Sequence, residues 1–400
     1  MAQTRFHLKT FPIKGKRVFL RVDYNVALQG KKVVDVTKIR DSLPTIHYLL
    51  GQGCSLVVAS HLGRPDGKVV DDLRLTPVVR EMRKLLPGVH IQTVTSCIGK
   101  EVSVKAQKLS PGSILVLENL RFYKQEEDND PAFAHSLADL AQVYVNDAFG
   151  TVHRAHASVD AITHFLPSMA GFLVEKEVFY LSKALMPVRP CVWIMGGAKL
   201  SKVGLMKKAL TKADYILVGG ALPFPFMRAQ GKEVGMSKLD ADAITVAKAL
   251  LKTTHAHKLI FPVDFAVAPS MELRASRSVV RVNRIASSMF ALDIGPETVA
   301  LFETYLRKAK TIVWNGPLGY FESARFAQGT KDIARYISKL TATTIVGGGE
   351  TEEAVRKFRL EDSLTHVSSG GGASLEFLEG KKLPALEALS RNYIQFGKKI

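Results

Sequence analysis

Cysteine is scarce in this sequence of 400 residues: Cys54, Cys97 and Cys191 stand far apart, with no C-x-x-C spacing. That excludes a disulfide framework and gives no zinc-ligand pattern, so reduced, mostly buried thiols are expected. Long apolar runs are also missing. Stretches such as Ile114 to Leu117 fall far below the roughly 18 residues of a membrane span, and the opening MAQTRFHLKTF has no signal-type apolar core. A cytoplasmic chain with no membrane partner is expected. No run of five Lys or Arg occurs, and neither G-x-x-x-x-G-K-[ST] nor G-x-G-x-x-G appears. The ordinary P-loop and dinucleotide fingerprints are thereby set aside.

What is present is ordinary globular usage, 46% hydrophobic and 23% charged, which argues against disorder, collagen and coiled coil. At roughly 150 residues per domain the length suggests two or three domains. Lys and Arg number 55 against 37 Asp and Glu, for a net charge of +18. Such a balance suits nucleic acid, small polyanions or a plain basic surface. The series Arg274, Arg277, Arg281, Arg284 is the nearest thing to a basic stripe, but it straddles Val279 and Val280 and reads equally well as a solvated strand edge. Nucleic acid is not the expected main partner.

Short branched apolar runs alternate with amphipathic stretches of helical length, the pattern of parallel strands joined by crossover helices. In the first half they are Arg17 to Val22, Leu56 to Ser60, Ile114 to Leu117 and Val143 to Val145. The second half has Val192 to Met195, Tyr215 to Val218, Leu259 to Phe261, Thr311 to Trp314, Thr343 to Val346 and Thr365 to Val367. Between them Glu175 to Leu185 reads as a helix, bounded by Pro167 before and by Pro187 and Pro190 after. The fold class is therefore α/β: two doubly wound, Rossmann-like domains with parallel sheets, joined by a linking helix and hinge.

Ligands of open α/β sheets bind beyond the carboxyl ends of the strands. First-half strands end in Asp23 and Asn25 (RVDYN), His61 and Arg64 (SHLGRP), Arg121 (ENLRF), and Asp147 leading to His153 and Arg154 (NDAFGTVHRAHAS). Any one of these reads as a loop charge; together they make a pocket for a small, multiply anionic substrate, since guanidinium forks match phosphate and carboxylate. Second-half strands end in glycine: Gly196-Gly197, Gly219-Gly220, Gly316-Pro317, Gly347-Gly348-Gly349 and Gly370-Gly371-Gly372. Glycine allows close backbone approach, and amides at a helix start bind phosphate. A basic anion site in one half and a nucleotide site in the other suggest a two-domain kinase that closes over both ligands.

Over nearly its whole length the chain resembles the phosphoglycerate kinase family. The resemblance rests on SHLGRP, ENLRF, NDAFGTVHRAHAS, GGAK, FPVD, ALDIGPET, TIVWNGPLGYFE and HVSSGGGASLEFLEGKKLP, in the family's order. It implies reversible phosphoryl transfer between 1,3-bisphosphoglycerate and Mg-ADP, giving 3-phosphoglycerate and ATP. It also implies a phosphoglycerate-binding domain over 1–170, a linking helix over 171–188, a nucleotide-binding domain over 189–380, and a segment 381–400 returning to the first domain. Phosphoglycerate binding carries over onto Asp23, Asn25, Lys38, His61, Leu62, Gly63, Arg64, Arg121 and Arg154. Nucleotide binding carries over onto Gly197, Lys202, Gly316, Glu322 at the ribose hydroxyls, Gly348, Gly349, Glu350 and Thr351, with Glu350 toward Mg²⁺. Lys38, Lys202, Gly371 and Gly372 would act on the transferring group; His61 and His153 need no acid–base role. A monomer is implied.

Several positions depart from the family pattern. Ala27 follows Val26 where a proline is usual, and Lys38 stands where an arginine faces the reacting groups, with Arg40 a candidate to make up part of the loss. GGAKLSK is one residue short, so Lys199 rivals Lys202. Pro223 and Pro225 in GGALPFPF remove two amide donors, which could reshape the adenine pocket, and Glu350 replaces an aspartate. The competing reading is a weakly active relative whose basic charge holds RNA or another polyanion.

Overall fold

The computed structural model describes residues 6–197, 203–272 and 275–397. The chain forms two compact units, Met1–Val178 with Lys382–Ile400, and Phe179–Lys381.

The first unit is built on a seven-stranded sheet, in spatial order Phe6–His7, Ser168–Ala170, Val143–Asp147, Arg17–Val22, Ser55–Ala59, Ile114–Val116, Ile91–Thr93. Every pairing is parallel. Strands buried on both faces need continuous apolar runs; Ser55–Ala59 and Val143–Asp147 are buried throughout, and Arg17–Val22 from Val18 onward. Leu20, Val58 and Val145 pack with Ile46 and Leu49 of helix Thr37–Gly51 and Met82 of helix Thr76–Leu85. From Arg17–Val22 the chain steps outward on one side, then returns with Val143–Asp147 to the other, so the order reverses at the central strand. The returning helix Pro384–Phe396 is pinned by buried Asn392, whose Oδ1 accepts from the Ser168 N–H at 2.8 Å and whose Nδ2 donates to the Leu166 carbonyl at 2.7 Å.

Helix Phe172–Leu185 carries the chain onward. It starts three residues before the expected Glu175 because two side chains take up its first amides. The Phe172 N–H donates to Thr45 Oγ1 and the Leu173 N–H to Asp147 Oδ1, both at 2.9 Å.

The second unit has a six-stranded parallel sheet, in order Leu259–Ile260, Tyr215–Val218, Cys191–Met195, Thr311–Asn315, Thr343–Val346, His366–Val367. Trp314, Ile194, Leu217, Phe302 and Ile333 fill its core. Here the order reverses between Cys191–Met195 and Thr311–Asn315. A separate antiparallel sheet of Ser278–Arg281, Asp264–Ala268 and Phe290–Ile294 was not foreseen by the alternating pattern. Ser278–Arg281 is its exposed edge, which accounts for Arg281 as part of a solvated strand edge; Arg274 lies outside the described residues. All three cysteines are free and buried.

Candidate active site

Asp23 follows the central strand of the first unit. Its Oδ2 accepts from Lys38 Nζ at 2.9 Å, its Oδ1 accepts from the Asn25 N–H at 3.1 Å, and His61 Nδ1 lies 3.9 Å from Oδ1. Burial pushes this carboxyl up, but the Lys38 ammonium, His61 and the two hydrogen bonds together overcome it and hold the group at about 2. His61 Nδ1 meets Arg21 Nη2 at 3.2 Å. A guanidinium only donates, so His61 accepts at Nδ1 and its hydrogen sits on Nε2. Burial, with the nearby cations adding to it against the opposing pull of Asp23, keeps the ring well below its ordinary pKa and therefore neutral.

The loop after Ser60 is tied to the same centre. The Gly63 N–H donates to Asn25 Oδ1 at 2.9 Å, and Arg121 Nη1 donates to the Gly63 carbonyl at 2.7 Å. Gly63 has φ +65°, which favours glycine, and a β-carbon there would also push on Leu73 Cδ2 from 2.7 Å. Buried Arg121 leaves Nε without a hydrogen bond, in an ion pair 3.4 Å from Glu127 Oε1. Arg154 is half-buried, its Nε 3.5 Å from His153 Nε2, so His153 acts as a hydrogen-bonding neighbour. Leu62 contributes apolar packing and Arg64 stands exposed on the same loop. Arg40 is exposed about 200° around its helix from Lys38 and does not join the Asp23 contacts, so it does not replace the missing fork.

Four supporting residues escaped the reading of strand ends. Fully buried Asn119 accepts at Oδ1 from the Leu62 and Arg121 N–H groups at 3.2 and 3.1 Å and donates from Nδ2 to the Leu62 and Leu73 carbonyls at 2.7 and 2.9 Å. It thereby locks two substrate-side loops together; an amide two residues after the apolar run Ile114 to Leu117 was the available signal. Arg21, inside RVFLRV, donates from Nε to Ser158 Oγ at 2.9 Å, and that hydroxyl donates to Glu126 Oε1 at 2.6 Å. Burial raises the Glu126 pKa, while Arg21 and the Ser158 bonds oppose this. An arginine inside a buried strand requires such a counter-charge.

In the second unit, glycine ends converge where the strand order reverses. The Gly197 N–H donates to the Pro317 carbonyl at 2.8 Å, and a β-carbon on Gly196 would stand 2.1 Å from that oxygen. The Gly316 N–H donates to Thr351 Oγ1 at 2.6 Å, and Asn315 Nδ2 donates to the Gly347 carbonyl at 2.7 Å. Gly348 precedes helix Gly349–Lys357 with φ +95° and no side-chain cap. The Thr351 and Glu352 N–H groups turn back to the Gly348 carbonyl, leaving the earlier amides of the helix start for an anion. Gly371, φ +51°, opens helix Gly372–Leu378 in the same manner.

A cavity of about 490 Å³ lies beside these turns, lined by Gly197, Phe224, Phe290, Pro317, Glu322 and Glu350 among others. Lys357 Nζ donates to the Phe321 and Glu322 carbonyls at 2.9 and 3.0 Å and so fixes the Glu322 turn. Pro223 and Pro225 turn out to cost the backbone nothing. They occupy the first turn of helix Pro223–Ala229, where amide hydrogens have no partner in the helix, and it is Phe224 between them that reaches the cavity. Lys199 and Lys202 lie outside the described residues.

Glu350 on the cavity wall offers an oxygen ligand that Mg²⁺ accepts. Among the described residues no three His, Cys, Asp or Glu side chains cluster to hold a metal. One carboxylate completed by nucleotide phosphates is the fitting arrangement, and the donor set is compatible with it.

The pattern of the family described as phosphoglycerate kinase matches residues 8–381. The phosphoglycerate kinase of Moorella thermoacetica is 48% identical over 387 residues, 96% of this chain and 98% of that protein. That of Koribacter versatilis is 46% identical over 400 residues, covering 97% and 99%. The structure of phosphoglycerate kinase from Coxiella burnetii superposes with a TM-score of 0.88 at 36% identity, over 97% of this chain and 99% of the other.

Proposed function

From a chain that belongs to the phosphoglycerate kinase family, we infer a phosphotransferase acting on a carboxyl group, which reversibly moves the acyl phosphate of 1,3-bisphosphoglycerate to ADP to give 3-phosphoglycerate and ATP. The observation that carries the division of labour is the contrast between the two switch points. One is edged by Asp23, His61 and Arg121, the other by Gly197, Gly316 and Gly348. The first unit would take phosphoglycerate and the second the nucleotide.

The acceptor is itself a carboxylate, so transfer needs no strong general base; position and neutralisation of spread negative charge do most of the catalysis. Arg121, Arg154 and Arg64 would neutralise the phosphoglycerate. The neutral His61, presenting Nε2–H, would donate a hydrogen bond without exchanging a proton. Lys38 would face the reacting oxygens while anchored on Asp23, and Lys202, or its rival Lys199, would accompany the group in transfer. The amides of Gly371 and Gly372 would stabilise the charge on that group. Glu322 would accept from the ribose hydroxyls, and Gly197, Gly316, Gly349 and Thr351 would shape the phosphate end. Mg²⁺, held by the nucleotide phosphates with Glu350, supplies charge neutralisation when bound. Because the ligands would occupy different units, turnover requires hinge closure.

A monomer in the cytoplasm completes the reading. No helix among the described residues is long and apolar enough to cross a membrane. The polyanion-binding alternative is not favoured by the family match. The test is coupled phosphoryl transfer from ATP to 3-phosphoglycerate with Mg²⁺. Wild type should turn over, and Arg121→Ala should lose about a hundredfold while still binding ATP. A folded, ATP-binding wild type with no transfer would sink the reading.

A further inference from the structure

Arg21 commits its whole guanidinium inside the first unit. Nε donates to Ser158 Oγ at 2.9 Å, Nη1 donates to the Val22 carbonyl, and Nη2 meets His61 Nδ1 at 3.2 Å. Behind it stands Glu126, fully buried on the short helix Lys124–Glu127. The hydrogens along this chain have one arrangement. A guanidinium only donates, so Ser158 Oγ accepts from Nε and its own hydrogen is left for Glu126 Oε1 at 2.6 Å, while the Ser158 N–H donates to Oε2 at 2.9 Å. Both carboxyl oxygens accept, as those of the ionised form do, and the negative charge sits behind the buried cation. At the far end the same donor-only group keeps His61 Nδ1 an acceptor.

His61 has a second choice. Asp23 Oδ1 lies 3.9 Å from the same Nδ1, and a carboxylate only accepts. With Arg21 turned away, the ring hydrogen would move to Nδ1 to face Asp23, and Nε2 would become an acceptor that opposes an anionic substrate oxygen. We propose that Glu126, acting through Ser158 and Arg21, is the positioning residue that keeps His61 as its Nε2–H tautomer and thereby sets the affinity for phosphoglycerate. The tautomer follows from the geometry; the effect on affinity rests on the kinase reading. Glu126→Gln is the informative change. Its amide offers one acceptor where Ser158 supplies two donors, and it leaves the Arg21 cation without the counter-charge that holds it in place.

The test joins nitrogen NMR of His61 in the free protein with the coupled assay. In wild type Nδ1 should give the signal of an unprotonated ring nitrogen and Nε2 that of a protonated one. Glu126→Gln should mix or reverse the two. It should also raise KM for 3-phosphoglycerate about tenfold, leaving kcat and KM for ATP within about twofold, as for one hydrogen bond to a charged group made equally before and during transfer. In a His61→Gln background the same change should add little, because both act through one ring. Ser158→Ala leaves both charges present and breaks the link between them; it should shift the His61 signals and KM the same way, and it keeps the test open if Glu126→Gln does not fold. A wild-type hydrogen on Nδ1, or ring signals that neither variant moves, would overturn the assignment. So would losses that add in full with His61→Gln, which would leave Glu126 merely docking the loop that carries Ser158. No transfer by wild type would sink the kinase reading while the tautomer result stood, which separates the two failures.

Discussion

Lys38 reaches Asp23 through a single contact of 2.9 Å. A guanidinium at the same position could hold that carboxylate and still turn a second donor toward the reacting oxygens, because its planar fork carries five N–H groups. Lys38→Arg should therefore raise kcat by about three- to tenfold, within the range of one charge-assisted hydrogen bond; an unchanged or lower kcat in the coupled assay would count against it. Asp147 makes a different use of burial. Its Oδ1 takes the Leu173 N–H, its Oδ2 has no partner, and burial raises it to about 7 despite its hydrogen bonds. A raised carboxyl binds its proton more tightly when folded, so this contribution to stability is full below about 4 and lost as pH climbs through about 7. Asp147→Asn keeps an acceptor for Leu173 and removes the charge. Its melting temperature should fall less than that of wild type between pH 5 and 8, and parallel curves would refute the assignment.

Helix starts carry much of the second unit's chemistry, and their demands differ residue by residue. Gly348 has φ +95° and a β-carbon there would lie 2.6 Å from Asn315 Nδ2, whereas nothing stands within 4 Å of one on Gly349. Gly348→Ala should destabilise by about 1–3 kcal/mol, while Gly349→Ala, adding a helix former inside the first turn, should be neutral or slightly stabilising. Equal denaturation midpoints for the two variants would contradict this. Such glycines were legible in the sequence because each follows an apolar run, as were the arginines and His61 beyond the first-unit strands. Arg21, Glu126 and Ser158 were not, since their pairing depends on which loop the fold lays over the central strand. The antiparallel sheet of 264–294 was hidden for a related reason: its two outer strands are partly or largely exposed and break the rhythm set by the parallel ones, although the central strand Asp264–Ala268 is buried throughout. Pro223 and Pro225 do no harm to the helix itself, because both fall in its first turn.

At the scale of the molecule the open question is what a net charge of +18 does. Each unit has its own apolar core, so the excess charge is not needed to hold either together and self-repulsion makes it a mild burden on both. Its benefit has to come from association. Anionic substrates are drawn to a basic surface over distances comparable to the Debye length, about 10 Å at 0.1 M salt and about 3 Å at 1 M. For a small phosphorylated carboxylate the attraction involves few charges, so kcat/KM for 3-phosphoglycerate should fall only several-fold between 0.05 and 0.5 M KCl, with kcat less affected. A nucleic acid contacting six to ten phosphates would instead lose about a thousandfold or more in affinity between 0.05 and 0.2 M. Steady-state kinetics and RNA filter binding over the same salt series thus separate the two uses of the charge. A modest decline in kcat/KM with weak RNA retention fits a kinase that steers its substrate. A flat kinetic profile beside tight RNA retention with a steep salt slope would assign the basic surface to the polyanion.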